Sequence, residues 1–127
     1  MAKILSIIET AYRATIEEQD DTILWFNHIL KTAGADIAIL LRANAVNYAV
    51  KGHDASGLRF GKLSQTHPPE IDKDVTVLIK KGVPVYVVTE DAVERGVVEE
   101  ELVSGVQHVS RSTLPKLLDQ FDHIWHW

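Results

Sequence analysis

The stretch Lys3-Ile4-Leu5-Ser6-Ile7-Ile8 decides the fold. Successive side chains of a strand point to opposite faces, so Leu5 and Ile7 would face one way and Ile4 and Ile8 the other. A strand that is apolar on both faces needs cover on both, which is the condition of a strand inside a parallel sheet flanked by helices. Working outward, further runs of this kind occur at Asp36–Leu41, Val83–Thr89, Val106–Val109 and His123–Trp127. They alternate with helical patterns, the signature of βα units. The expected architecture is α/β, with about five mainly parallel strands and helices on both faces.

The helical segments are marked by spacing and punctuation. Ile23, Phe26, Leu30 and Ala33 recur at helical intervals, Glu17, Glu18, Asp20 and Asp21 crowd the start where negative charge suits the helix dipole, and Gly34 supplies a stop. Asn44 is placed to cap a short helix over Ala45–Val50 that closes at Gly52. Pro68-Pro69 opens the next helix, whose apolar stripe is Ile71, Val75, Leu78 and Ile79, before Gly82. Ser112 or Thr113 caps the last, with Pro115 in its first turn and Leu114, Leu117, Leu118 and Phe121 on its buried face. Between Gly52 and Pro69 runs a polar loop, with Leu58, Phe60 and Leu63 as its expected anchors. A connection of that length inside a small domain marks a lid, a binding loop or a subunit contact.

Composition narrows the function. The 127 residues are 46% apolar and 24% charged, which describes one packed domain over 1–127. A net charge of −5 argues against nucleic acid or an anionic membrane as partner. There is no cysteine, which excludes disulfides, zinc-thiolate sites and thiol catalysis. Glu9 ends the first apolar run before it reaches signal-peptide length, and no run is long enough to span a bilayer, so a cytoplasmic location is expected.

In an open parallel sheet, ligands collect beyond the carboxyl ends of the strands. The residues there are polar: Glu9, Tyr12 and Arg13 after the first strand, Arg42 and Asn44 after the second, Thr89, Glu90 and Asp91 after the third. One reading makes Arg13 and Arg42 a clamp for an anion. The other pairs the arginines with Glu9, Glu90 and Asp91. No glycine-rich phosphate loop follows the first strand, so no nucleotide cofactor is expected. Strand alternation sends His123 and His126 to opposite faces, so they do not make a metal site even with His53 and His67 nearby. Trp125 and Trp127 near the carboxyl terminus suit either core packing or a subunit interface.

Taken together, the first strand running to Ala11-Tyr12, the segment Asn44-Ala45-Val46-Asn47-Tyr48-Ala49-Val50-Lys51-Gly52, the stretch Lys81-Gly82-Val83-Pro84-Val85-Tyr86-Val87-Val88, the turn Glu94-Arg95-Gly96-Val97 and the aromatic terminus resemble the DsrE/DsrF-like family. The resemblance implies a flavodoxin-like α/β fold and a homo- or hetero-oligomer, often a trimer or hexamer. It also implies a context of sulfane-sulfur relay. In sulfur-carrying members the persulfide cysteine follows the third strand; that position falls here on Val88, and Asp91 stands where some members have another cysteine. Valine cannot carry a persulfide. Three readings follow: a non-catalytic oligomeric protein binding a small ligand in a polar pocket, a structural subunit docking a cysteine-bearing partner, or a cofactor-independent enzyme using Glu9, Glu90 or Asp91 as base.

Overall fold

A computed structural model describes residues 1–11, 21–52 and 57–127. Five strands form one sheet: β1 (Lys3–Ile8), β2 (Asp36–Leu41), β5 (Val85–Val88), β6 (Gln107–Val109) and β7 (His123–His126). Their order is β6-β5-β2-β1-β7 and every pairing is parallel. The chain winds outward from β1 to β6, then returns across the sheet so that β7 lies on the far side of β1. All five carboxyl ends therefore share one edge.

The double-sided apolar pattern of β1 and β2 is used as expected. Ile8, Ile37, Ile39 and Leu41 join Val85 and Val87 on one face, under α1 (Thr22–Thr32) and α2 (Ile71–Lys80). Leu5, Ile7, Ala38 and Leu40 join Val88 on the other, under Leu117 of α4 (Leu114–Leu118), with Leu114, Leu118 and Phe121 packed beside it. Ile71, Val75 and Leu78 of α2 are buried, each contributing about 1.5–3 kcal/mol of apolar burial. Pro68-Pro69 precedes this helix, which Glu70 enters. No described helix is long and apolar enough to cross a membrane.

The sequence-based expectations differ from the structure at several places. The buried face of α1 is Ile23, Leu24 and Asn27, while Phe26 turns to the edge of the sheet against Trp125 and Trp127. The segment after β2 is a 3-10 helix, Ala43–Ala49, entered through Arg42 without a side-chain cap; Asn44 lies inside it. Neither Ser112 nor Thr113 caps α4 through its side chain. The long loop contains a small hairpin, β3 (Arg59–Phe60) with β4 (Leu63–Ser64). Its apolar residues do not anchor it: Phe60 and Leu63 are exposed, because a hairpin of this size has no second layer to bury them against. The loop residues His53 and Asp54, like the acidic Glu17, Glu18 and Asp20 before α1, lie outside the described residues.

Asp21 is the device that docks α1. Its side chain accepts the Ile23 and Leu24 N–H groups at 2.9 and 3.1 Å, capping the helix, and the Tyr48 hydroxyl at 2.7 Å. Both residues are fully buried. The same carboxylate thus fixes the start of α1 and ties it to the 3-10 helix after β2. Asp21→Ala removes a cap and leaves a buried hydroxyl without this acceptor, so it should cost about 2–4 kcal/mol. Tyr48→Phe should cost about 1 kcal/mol. Urea unfolding followed by far-UV circular dichroism checks both values and their order.

Candidate functional site

The shared carboxyl edge gathers the polar residues that follow the strands. Glu9 leaves β1, Arg42 and Ala43 leave β2, and Ser110 and Arg111 leave β6. After β5 the chain turns at once into α3 (Thr89–Glu94), which ends at Gly96 with a left-handed φ of 71°. A helix starting directly at the end of β5 points its first turn back along this edge, and so aims Glu90 and Asp91 at the ends of the neighbouring strands. His126 completes the row at the end of β7.

Two groups of charges result. The first centres on Asp91, which is only 6% exposed. Its carboxylate accepts the Ala43 N–H at 2.6 Å and a guanidinium N–H of Arg111. Arg111 also reaches Glu94 at 2.9 Å, and its backbone N–H is shared by the two Glu90 oxygens at 3.0 and 3.1 Å. Arg95 donates from Nε to the Asn44 side chain at 2.9 Å and from Nη1 to the Asp91 carbonyl at 3.1 Å. Ala43 sits in the left-handed region at φ 51°, a conformation that costs a residue with a Cβ about 1–2 kcal/mol. The short bond to Asp91 holds it there.

Burial works to raise the Asp91 pKa, but the Ala43 N–H and then the hydrogen bond and charge of Arg111 outweigh it, leaving Asp91 below its ordinary 3.8. The Arg111 hydrogen bond likewise lowers Glu94, and Glu94 and Asp91 together make Arg111 hold its proton more tightly than usual. This is a closed, ionised network. It resembles a clamp on the backbone more than a reacting centre.

The second group lies across β7, β1 and β2. His126 Nε2 and Glu9 Oε2 are 2.8 Å apart. The other Glu9 oxygen is 3.8 Å from Arg42 Nε, too far for a hydrogen bond, and that Nε is buried with no hydrogen-bond partner. The Arg42 side chain as a whole remains 42% exposed. Arg42 is thus the cation at this edge whose charge is least matched among the described residues.

Of the residues read from the sequence, Glu9, Arg42, Asn44, Thr89, Glu90 and Asp91 all lie at this edge, with Thr89 exposed. Tyr12 and Arg13 fall outside the described residues. Arg42 pairs with Glu9, while Glu90 and Asp91 are taken by Arg111. Arg111 was not among the sequence candidates, although its place just after β6 is the same signal that picked out Arg42. Val88 ends β5 and is 1% exposed, packed on the α4 side of the sheet. Trp125 stacks on Phe26 at 6.2 Å, and Trp127 meets both rings edge-on at 5.9 and 6.5 Å. Both indoles are half-buried within their own chain.

The sequence model of the DsrE/DsrF-like family matches residues 7–126. No curated protein matches the chain. Among solved structures, the chain is similar to the crystal structure of the ychN protein from E. coli, with a TM-score of 0.75, 18% identity and 100% of each chain covered. It is also similar to MTH1491, a protein of unknown function from Methanobacterium thermoautotrophicum, with a TM-score of 0.67, 14% identity, and 98% and 99% of the two chains covered. At such identities the likeness concerns the fold, a flavodoxin-like α/β layering that agrees with the sheet described above.

The depressed pKa of Asp91 makes a linkage prediction. Its stabilising contribution is complete above the ordinary carboxyl value of 3.8 and is lost as pH falls through the lower folded value. Asp91→Asn should cost about 2 kcal/mol at pH 7, and its stability should then decline less steeply than that of the parent below pH 3.8. Urea midpoints measured from neutral pH into this acid range check the slope.

Proposed function

Because the chain belongs to the DsrE/DsrF-like family yet contains no cysteine, we propose that it is a non-catalytic, oligomeric member that binds a small anionic ligand at the carboxyl edge of its sheet. The observation that carries this reading is Arg42. It stands at the end of β2, half-exposed, with Glu9 at 3.8 Å as its carboxylate neighbour. Glu9 is itself engaged by His126 at 2.8 Å, which reduces its hold on the guanidinium. An anion could therefore take up donors that Glu9 leaves unmatched, in the forked geometry arginine favours. Glu9, Asn44, Thr89 and Glu90 would border the ligand, and Tyr12 and Arg13 would extend the site from the β1 side.

The sulfur-relay activity of the family needs a thiolate, and Val88, at the family's cysteine position, offers a buried branched hydrocarbon instead. A carboxylate-base enzyme is disfavoured by Asp91, the buried carboxylate of the three candidates: its pKa moves down, whereas a general base working near neutrality needs it moved up. Binding without chemistry uses what remains. The same reading places the protein in the cytoplasm.

Isothermal titration with sulfite, thiosulfate and phosphate tests the site. At least one of these anions should bind the parent protein, and Arg42→Ala should weaken it by about tenfold or more, the value of a charge-assisted hydrogen bond. Glu9→Gln removes the competing carboxylate and should tighten it. Equal titrations for the parent and Arg42→Ala, or no binding of any of the three anions to the parent, would overturn the assignment.

A further inference from the structure

The Glu9 carboxylate stands between an imidazole and a guanidinium, and the two hold it unequally. His126 lies directly across from Ile7 of β1, and Leu40 of β2 lies directly across on the other side. Glu9 and Arg42 come two positions after Ile7 and Leu40, so alternation sends the side chains of Glu9, Arg42 and His126 off the same face of the sheet. One Glu9 oxygen meets His126 Nε2 at 2.8 Å, and the other stops 3.8 Å from Arg42 Nε. The carboxylate thus leans toward the imidazole, while Arg42 Nε is buried with no hydrogen-bond partner among the described residues.

How firmly His126 holds Glu9 depends on a proton. A protonated imidazole donates with a full charge, and charge-assisted hydrogen bonds are about twice as strong as neutral ones. A neutral imidazole has one N–H, which serves Glu9 only in the tautomer that places it on Nε2. Histidine is the side chain that ordinarily changes charge between about pH 5 and 8. The His126 and Glu9 side chains are 55% and 40% exposed, so solvent protons reach the pair directly. Among the described residues, Glu9 is the one charged side chain that pairs with His126, and Arg42 stands behind it. The side chains that share a pocket with the imidazole, Phe26, Ile124, Trp125 and Trp127, carry no charge. On its own strand, His123 points to the opposite face.

From this geometry we infer that His126 is a proton-operated positioning residue that sets the anion affinity of Arg42 by way of Glu9. Protonated, it holds Glu9 away from Arg42 and leaves the guanidinium open to an anion. Neutral, it loosens its hold, and Glu9 competes for the arginine. The inference rests on the anion-binding reading above and supplies its regulation. Affinity for an anion therefore rises as the pH falls through the range in which imidazoles gain a proton. Because linkage is reciprocal, an anion at Arg42 in turn favours the proton on His126.

The test is isothermal titration at about pH 8.5 and about pH 5.5, on either side of the imidazole range, with the parent, His126→Gln and Glu9→Gln. The probe is whichever of sulfite, thiosulfate and phosphate the parent binds most tightly. Its own protonation acts on all three proteins alike and cancels in the comparison. From the higher to the lower pH, the parent's affinity should rise about threefold more than that of His126→Gln, the scale of one partly exposed charge pair. The two should bind alike at the higher pH. Glu9→Gln should bind more tightly than the parent there and lose the extra pH dependence. Parallel pH profiles for the parent and His126→Gln, or a Glu9→Gln variant that keeps the parent's dependence, would overturn the switch and leave Arg42 as the anion site. If the parent binds none of the three anions, the site itself falls and the switch falls with it.

Discussion

The carboxylate of Asp91 organises the edge on which the functional reading depends. Its partners come from two directions: the Ala43 N–H just beyond β2 and the Arg111 guanidinium just beyond β6. Asp91 itself sits in the first turn of the helix that leaves β5. One buried carboxylate therefore joins the ends of three adjacent strands and holds Ala43 in a conformation it would otherwise avoid. Because the negative charge is buried, losing either partner would leave it uncompensated, which keeps the network intact and ionised.

This arrangement explains why the polar edge is not equivalent along its length. Around β5 and β6 the acids and bases match one another, and the charge is spent on holding the backbone. Around β1, β2 and β7 the balance is looser. Glu9 is shared between His126 and Arg42, and the arginine Nε has no hydrogen-bond partner among the described residues. In a family associated with sulfur relay, a chain without a thiol retains the sheet and its polar carboxyl edge but not the thiolate. Anion binding at Arg42 is the role we propose for that edge.

Much of this was legible in the sequence, for identifiable reasons. Lys3–Ile8 and Asp36–Leu41 were bounded correctly because strands covered on both faces carry unbroken apolar runs. The α2 stripe was legible because three turns suffice for helical spacing to emerge. Helix α3 was not, because six residues starting directly from a strand show no period. Asn44 read as a cap because local propensity contains no information about Arg95, its partner 51 positions away. Arg111 was legible by its place just after β6, but its pairing with a carboxylate 20 positions earlier in the chain was not. The hairpin strands, of two residues each, are below the length at which alternation can be recognised.

The most direct test of a binding role in place of sulfur relay is native mass spectrometry of the untagged protein purified gently from its own cells, read before and after denaturation. The account predicts a homo-oligomer in whole multiples of the 14.2 kDa chain, with any added mass released on denaturation. A cysteine-bearing protein present in fixed stoichiometry would contradict it, and would make the chain the structural subunit of a sulfur-transfer complex.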